Sequence, residues 1–348
     1  MKILYGVQGT GNGHIARARA MNKALKARDI EADFLFSGRA KDKYFSMQEF
    51  GEFETRRGLS FVTQKGKVDY VKTALDNSLV QLNKDIRSLD LSQYDVVIND
   101  FEPVSAWAAK KQNKPCISIS HQNAFRYSVP KKGASWLDKQ VIHHFAPSDY
   151  AIGLHWYHFE QPILPPIVAT IEQQVAQGDF ILVYLPFENV DDIQELLTRF
   201  NSHKFVCFHP DVVDKHEIGN VQLFPLCHSN FQHHLHQCGG VIANGGFELP
   251  SEALSLGKKL LLKPLAGQFD QQSNVATLES LGLATAMDIL DASVVRQWLD
   301  EKPGESVQYP DVAEAIVDWV LAGQWDTHET LSQTLWDKVD FPSYVSNL

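Results

Sequence analysis

The sequence predicts an α/β protein of two doubly wound parallel-sheet domains in tandem, and three observations carry that prediction. Short, nearly continuous apolar runs rich in β-branched residues alternate with amphipathic stretches, as expected of strands covered on both faces of a parallel sheet. The alternation is interrupted once, by HFEQPILPPIV at 158–168, whose prolines favour extended backbone and mark a linker. The 348-residue length suits about two domains, and 44% hydrophobic against 21% charged residues supplies enough apolar surface for two cores.

Taken in order, KILYGV, EADFLFSG, DVVINDF, CISISH and YAIGLHW read as the strands of the first half. Helical patterns lie between them at 15–27, 70–91 and 104–112, and 53–68 reads as irregular chain or an extra hairpin. After the linker, FILVYLPF, KFVCFHP, VQLFPL, GGVIANGG and KLLLKPL form a second set of strands, again separated by helical stretches. The last forty or so residues read as helices, DVAEAIVDWVLAG and ETLSQTLWDKV. The expected division is 1–160, 161–325 and a terminal helix in 326–348 that packs back toward the first domain. Ligands of such sheets bind beyond the carboxyl ends of the strands, so two facing domains enclose a cleft lined by the loops that follow strands.

Composition excludes several classes. A formal charge of -10 argues against the basic surface of a nucleic-acid binder. The four cysteines form no CxxC pair, which fits a reducing cytoplasm. The first residues run directly into a strand, and no apolar run reaches the ~18 residues of a spanning helix. A soluble, cytoplasmic protein is expected. VPKKGASWLDKQVIHHF, with Lys131, Lys132 and Lys139 beside Trp136, is the one segment that suits peripheral contact with a membrane's inner face. HSNFQHHLHQC concentrates histidines on one helix, but one helix face does not supply a closed metal-ligand set, so no metal is expected.

GVQGTGNGH at 6–14 invites a phosphate-loop reading and fails it. The dinucleotide fingerprint requires a third glycine where His14 stands, and no acidic residue ends the second strand. A Walker loop requires the absent Gly-Lys-Ser/Thr. Gly11 and Gly13 instead leave room for a ligand, with Asn12 between them. His14 opens the next helix at the cleft mouth as a candidate general base. Asp100, after DVVIND, either orients His14, acts as the base itself, or caps the helix before EPVSAWAA; Glu102 is a weaker substitute.

The segment 239–284 carries a second constellation. A strand ends in Asn244-Gly245-Gly246, Phe247 and Glu248 follow, and a helix begins near Pro250, giving free backbone N–H groups for an anion. Glu252, in that helix's first turn, either compensates the helix dipole or accepts both ribose hydroxyls of a nucleotide. The loop after KLLLKPL brings Asp270, Gln271, Gln272 and Asn274, polar groups suited to sugar hydroxyls.

These motifs resemble the donor-binding region of GT-B glycosyltransferases. They are similar to the bacterial UDP-GlcNAc transferases that make the peptidoglycan lipid intermediate, to the wider family 28 and family 1 enzymes, and to uncharacterised sequences with the same G-x-G-N/L-G-H start. The pattern is a glycine pair (Gly245, Gly246), a glutamate (Glu252), a G-x-P element, then an acid–glutamine pair (Asp270, Gln271) with a nearby asparagine (Asn274). In the first half GTGNGHIARA resembles the acceptor-side loop, and His121, Gln122 and Asn123 stand in an H-x-Q-N-like motif. Two positions depart: Lys259 replaces the G-x-P proline, and Glu248 places a carboxylate where small or hydroxyl residues face the diphosphate.

The resemblance implies two Rossmann-like domains facing across a cleft and an inverting, metal-independent transfer with no cofactor. A nucleoside diphosphate sugar, by analogy a UDP-sugar, donates to an acceptor hydroxyl of a glycan, lipid or small molecule, in the setting of cell-envelope polysaccharide. It also implies backbone contacts to the base around Phe224 and Leu226 and a phosphate-facing loop at Pro186. A non-hydrolysing UDP-sugar 2-epimerase and a non-catalytic nucleotide-sugar-binding protein are the alternatives on the same fold.

Overall fold

The computed structural model describes residues 1–60, 63–64, 67–68, 77–169 and 174–345. The first half contains strands β1 (Ile3–Gln8), β2 (Ala32–Ser37), β3 (Phe53–Arg56), the two-residue β4 (Thr63–Gln64) and β5 (Lys67–Val68), β6 (Val96–Asp100), β7 (Cys116–Ser120) and β8 (Tyr150–Gly153). Its helices are α1 (Asn12–Lys26), α2 (Leu79–Ser88), α3 (Pro103–Gln112), the single-turn α4 (His121–Ala124) and α5 (Trp136–His144). β3-β2-β1-β6-β7-β8 form one all-parallel sheet.

Both faces of that sheet are covered, which is why its strands read as unbroken apolar runs. Ile3, Tyr5 and Val7 pack with Ile15, Ala18 and Met21 of α1, while Leu4, Leu35 and Val97 pack with Ile86, Val104 and Ala108 from α2 and α3. Residues 53–56, expected as irregular chain or part of a hairpin, instead form the parallel edge strand β3; the antiparallel pairing is confined to β4 and β5. Of the helix expected over 70–91, α2 is the described part, and residues 70–76 lie outside the described residues.

The second half contains β9 (Phe180–Tyr184), β10 (Lys204–Phe208), β11 (His216–Ile218), β12 (Val221–Phe224), β13 (Gly240–Asn244), β14 (Lys259–Lys263) and β15 (Thr285–Ala286). Its helices are α6 (Val190–Leu197), α7 (His228–Gln237), α8 (Glu248–Ser255), α9 (Phe269–Ser280), α10 (Ala292–Leu299), α11 (Val312–Ala322) and α12 (His328–Trp336). The order β11-β12-β10-β9-β13-β14-β15 is parallel except for the hairpin edge β11–β12. The prolyl segment at 158–168 is largely buried: Leu154 bridges Leu164, and Ile163, Leu164 and Ile167 sit in the core.

The chain leaves β1 toward β2 on one side and returns to β6 on the other, so the first sheet reverses direction between β1 and β6; the second does so between β9 and β13. Such switch points open a crevice at the carboxyl ends of the strands. α1, which follows β1, packs against α8, which follows β13, so the two crevices face one another. The last helices cross back: α11 packs on α1, Arg28 pairs with Asp318, and Ser332 Oγ and Trp336 Nε1 donate to the Ile163 carbonyl at 2.7 and 2.6 Å.

Candidate active site

At the first switch point the loops after β1 and β6 bring His14 and Asp100 together, 86 residues apart in sequence. Phe101 adopts φ 50°, a left-handed turn uncommon for a non-glycine residue. It separates the tasks of its neighbours: Asp100 is directed at α1, and Glu102 caps α3. His14 Nδ1 lies 2.8 Å from Asp100 Oδ1; the histidine side chain is 14% exposed and the aspartate fully buried.

Arg17, one helical turn beyond His14, is only 2% exposed. Its Nε donates to Asp100 Oδ2 at 2.7 Å, its Nη2 to Oδ1 at 2.9 Å, and its Nη1 to Glu248 across the cleft. Burial by itself would raise the Asp100 pKa, but the Arg17 guanidinium and His14 outweigh it and hold the carboxyl below its ordinary range. An ionised carboxylate only accepts, so His14 Nδ1 donates to Asp100.

Glu248 is the counterpart on the second half. It opens α8, 6% exposed, with its carboxyl pushed up to about 8. Burial is the main cause; Arg17 lowers the value, and Glu252 and Asp100 raise it. Its expected place against a donor diphosphate is corrected: the side chain turns to the Arg17 guanidinium across the cleft. At Gly13, expected on the acceptor side, a Cβ would stand 2.9 Å from Glu248 Cγ, so the glycine makes room for this contact. A Cβ on Gly11 would meet His14 Cδ2 at 3.9 Å, an ordinary contact, and Asn12 Nδ2 donates across the cleft to the Tyr184 hydroxyl at 3.1 Å.

Several expected ligand contacts hold the fold together. Glu102 is fully buried with both oxygens occupied, Oε1 by Ser37 Oγ and Val104 N, Oε2 by Ser105 N and Oγ. Asn123 is fully buried and ties β7 to β8 through Ser118 and Ile152. His121 is sealed between the halves. Its Nδ1 lies 2.8 Å from the Leu154 carbonyl, its Nε2 2.6 Å from Asn274 Oδ1, and its ring stacks on Phe247 with centroids 4.0 Å apart. Burial drives its pKa down to about 4. Phe247 also packs on Trp156, so His121, Phe247 and Asn274 form an inter-domain seam where acceptor and donor contacts were expected. Gln271 is tied to the Leu265 amide, and Gln272 lies against Gly133. Gln122 keeps a buried Oε1 with no hydrogen-bond partner among the described residues.

The remaining donor-side candidates surround the second switch point. Asn244 anchors to the Lys263 carbonyl, and its own Oδ1 is buried with no hydrogen-bond partner among the described residues. Gly245 packs against Val275 and the Gln271 carbonyl, whereas nothing stands within 4 Å of a Cβ built on Gly246, the open position of the pair. Pro186 follows β9 beside the buried Lys263–Glu188 pair at 2.7 Å. Asp270 is raised to about 6, by burial first, partly offset by the Gln271 N–H and His14.

Between α1 and α8 lies an open cavity of about 110 Å³. Leu226, Phe231 and Tyr184 line its apolar part, and Glu252 and Gln232, bonded to each other at 2.9 Å, its polar part. Phe224 lies behind it, stacked on Phe208. The sequence reading missed Arg17, Arg19 and Tyr184, which the structure places at this site.

No curated protein sequence matches the chain. Solved structures do. The glycotransferase of kitacinnamycin is 16% identical with a TM-score of 0.56, covering 96% of this chain and 97% of its own. The Streptomyces sp. SF2575 glycosyltransferase SsfS6, complexed with thymidine diphosphate, is 12% identical with a TM-score of 0.57 and 96% of each chain covered. MurG of Acinetobacter baumannii is 15% identical with a TM-score of 0.50, covering 95% and 94%. These likenesses establish the GT-B architecture of two facing sheets. The sequence profile of glycosyl transferase family 1 matches residues 1–303, and the chain belongs to that family: it is a glycosyltransferase.

Proposed function

We propose that this glycosyltransferase moves a sugar from a UDP-sugar to an acceptor hydroxyl with inversion, His14 acting as general base. The observation that carries the reading is the His14–Asp100 pair, 2.8 Å apart at the first switch point and opposite the glycine pair of the second. His14 Nε2 takes the acceptor proton as the oxygen attacks the anomeric carbon, and Asp100 stabilises the imidazolium that forms. A single displacement inverts that carbon. Residues 1–160 then form the acceptor side, 161–325 the donor side, and 326–348 the returning segment.

The leaving diphosphate lies beside Gly246, where the backbone N–H groups that follow it at the start of α8 meet the developing charge, so the reading requires no metal. Glu252 and Gln232 hold the ribose, and Leu226 lies beside the base. The complex of SsfS6 with thymidine diphosphate supports a nucleoside diphosphate on this fold. Trp136, 69% exposed beside exposed Lys131, Lys132 and Lys139, supports a peripheral membrane contact. Among the described residues no helix is long and apolar enough to cross a membrane.

The test is a melting panel of nucleoside diphosphates and their UDP-, TDP- and GDP-sugars. A ligand at 100 times its Kd adds about 2.7 kcal/mol, and UDP compounds are expected to raise the melt. A panel with no shift defeats the donor reading, and a shift with TDP or GDP alone defeats the choice of base. Comparing the anomeric configuration of donor and product checks inversion.

A further inference from the structure

We propose that Arg39 is a receptor for an oxyanion, a phosphate or carboxylate, which a ligand of the transfer site carries into the outer corner of the cleft. The inference rests on the nucleotide-sugar reading and names a chemical group that the site reads.

Arg39 follows β2, just after Gly38, whose φ of 102° turns the chain back over the glycine loop. The other arginines beside the cleft are neutralised: Arg17 by Asp100 and Glu248, Arg19 by Glu49. Arg126, further along, donates to the Ile142 carbonyl near the end of α5, where the helix dipole favours a cation. Arg39 has no such compensation. Among the described residues no carboxylate pairs with it. Its Nη1 reaches Asn12 Oδ1 at 3.2 Å and the Lys43 carbonyl at 3.5 Å, and its guanidinium lies 5.3 Å from the Tyr44 ring. The group is half-buried, and desolvation, opposed by Tyr44 and Tyr184, pulls its pKa down. An incompletely solvated cation without a counter-charge costs free energy that a bound anion would restore.

The surroundings match an oxyanion. Asn12 accepts from Arg39 and donates to the Tyr184 hydroxyl, so Asn12 is fixed in one orientation by partners on both halves. The Tyr184 oxygen accepts that bond, which leaves its hydrogen free to donate into the cavity it lines. The remaining guanidinium N–H groups and the Tyr184 hydroxyl therefore flank Asn12 as donors. Lys41 and Lys43 add positive charge in a chain whose formal charge is -10. A planar guanidinium fork suits the paired oxygens of a phosphate or carboxylate.

The anion has two sources, the donor's diphosphate or an acid group on the acceptor, and the experiment separates them. Wild type, Arg39→Gln and Arg39→Lys are titrated with uridine, with UDP, and with inorganic pyrophosphate in the absence and presence of saturating UDP. If the donor supplies the anion, Arg39→Gln weakens UDP by about tenfold or more, leaves uridine within about twofold, and Arg39→Lys falls between. If the acceptor supplies it, Arg39→Gln leaves UDP unchanged but abolishes pyrophosphate binding to the UDP-saturated protein. Wild-type behaviour of Arg39→Gln in every titration overturns the proposal. A wild-type protein that binds neither uridine nor UDP defeats the donor reading instead. Pyrophosphate alone then decides Arg39: binding lost in Arg39→Gln sustains the proposal, and no binding or no loss overturns it.

Discussion

At the scale of single residues, the site is organised by a side chain whose importance lies in its neighbours. Arg17 touches both oxygens of Asp100 and one of Glu248, so one buried cation serves two carboxylates. Asp100 keeps the ionised state, and Glu248 carries the burden, with its carboxyl raised to about 8. A carboxyl raised in the folded state holds its proton while the unfolded chain has lost it. Between its ordinary value and about 8 the native protein binds more protons, and stability falls as pH rises. Glu248→Gln removes that dependence. Melting curves from pH 5 to 8 are expected to show wild type losing stability relative to Glu248→Gln as pH rises, and parallel curves would exclude a protonated Glu248. His14→Ala is expected to lower kcat by about 10²–10⁴ while leaving UDP affinity unchanged, read by initial rates and titration. An equal loss in UDP affinity would make His14 a donor contact. The place of His14 at the cleft was legible because a residue that closes the loop after a strand lies at the carboxyl edge of a parallel sheet. Arg17 was not, because a basic residue in a helix ordinarily belongs to the solvent face. Its spacing, three residues after His14 and four before the buried Met21, was the available signal.

At the scale of elements, Asp100 and Glu102 show where sequence reasoning stops. Both precede Pro103 at a helix start, and either could be cap or ligand. The left-handed turn at Phe101 decides it, by aiming Asp100 at α1 and giving Glu102 to the first N–H groups of α3. Backbone reversal at a single phenylalanine leaves no pattern in composition or periodicity. Glu102→Ala is therefore expected to act on stability, costing at least the roughly 0.5–2 kcal/mol of a lost helix cap, with Ser37 and Ser105 losing a partner. Calorimetry should record a lower melting temperature and titration an unchanged UDP affinity; an unchanged melt with a raised acceptor KM would return Glu102 to the acceptor site. The buried strands were legible because both faces are covered and the apolar run is unbroken. β3, β11 and β15 were not, because a short edge strand with exposed or half-buried residues resembles a loop.

At the scale of the whole molecule, the seam between the halves explains why several expected ligand contacts fall elsewhere. Motifs that cluster in sequence around a ligand loop also cluster at the domain boundary beneath it, and residue type alone does not separate the two. His121 and Trp156 from the first half enclose Phe247 from the second, Asn274 closes over the His121 ring, and Trp156 Nε1 donates to Ser251 Oγ at 2.9 Å. The apolar core runs through this seam without a break, from α1 and β1 to α8, α9 and α11. Phe247→Ala should accordingly cost about 3–5 kcal/mol, the usual penalty for emptying a buried aromatic site, seen as a lowered melt or as two separate transitions in calorimetry. Phe247→Leu fills most of the volume and should lose less stability while keeping the UDP-induced shift. A donor-contacting Phe247 predicts the opposite: Phe247→Leu would melt with wild type and lose UDP. The two variants together therefore decide whether this aromatic belongs to the ligand or to the join between the domains, and the 4.0 Å stack on a buried histidine argues for the join.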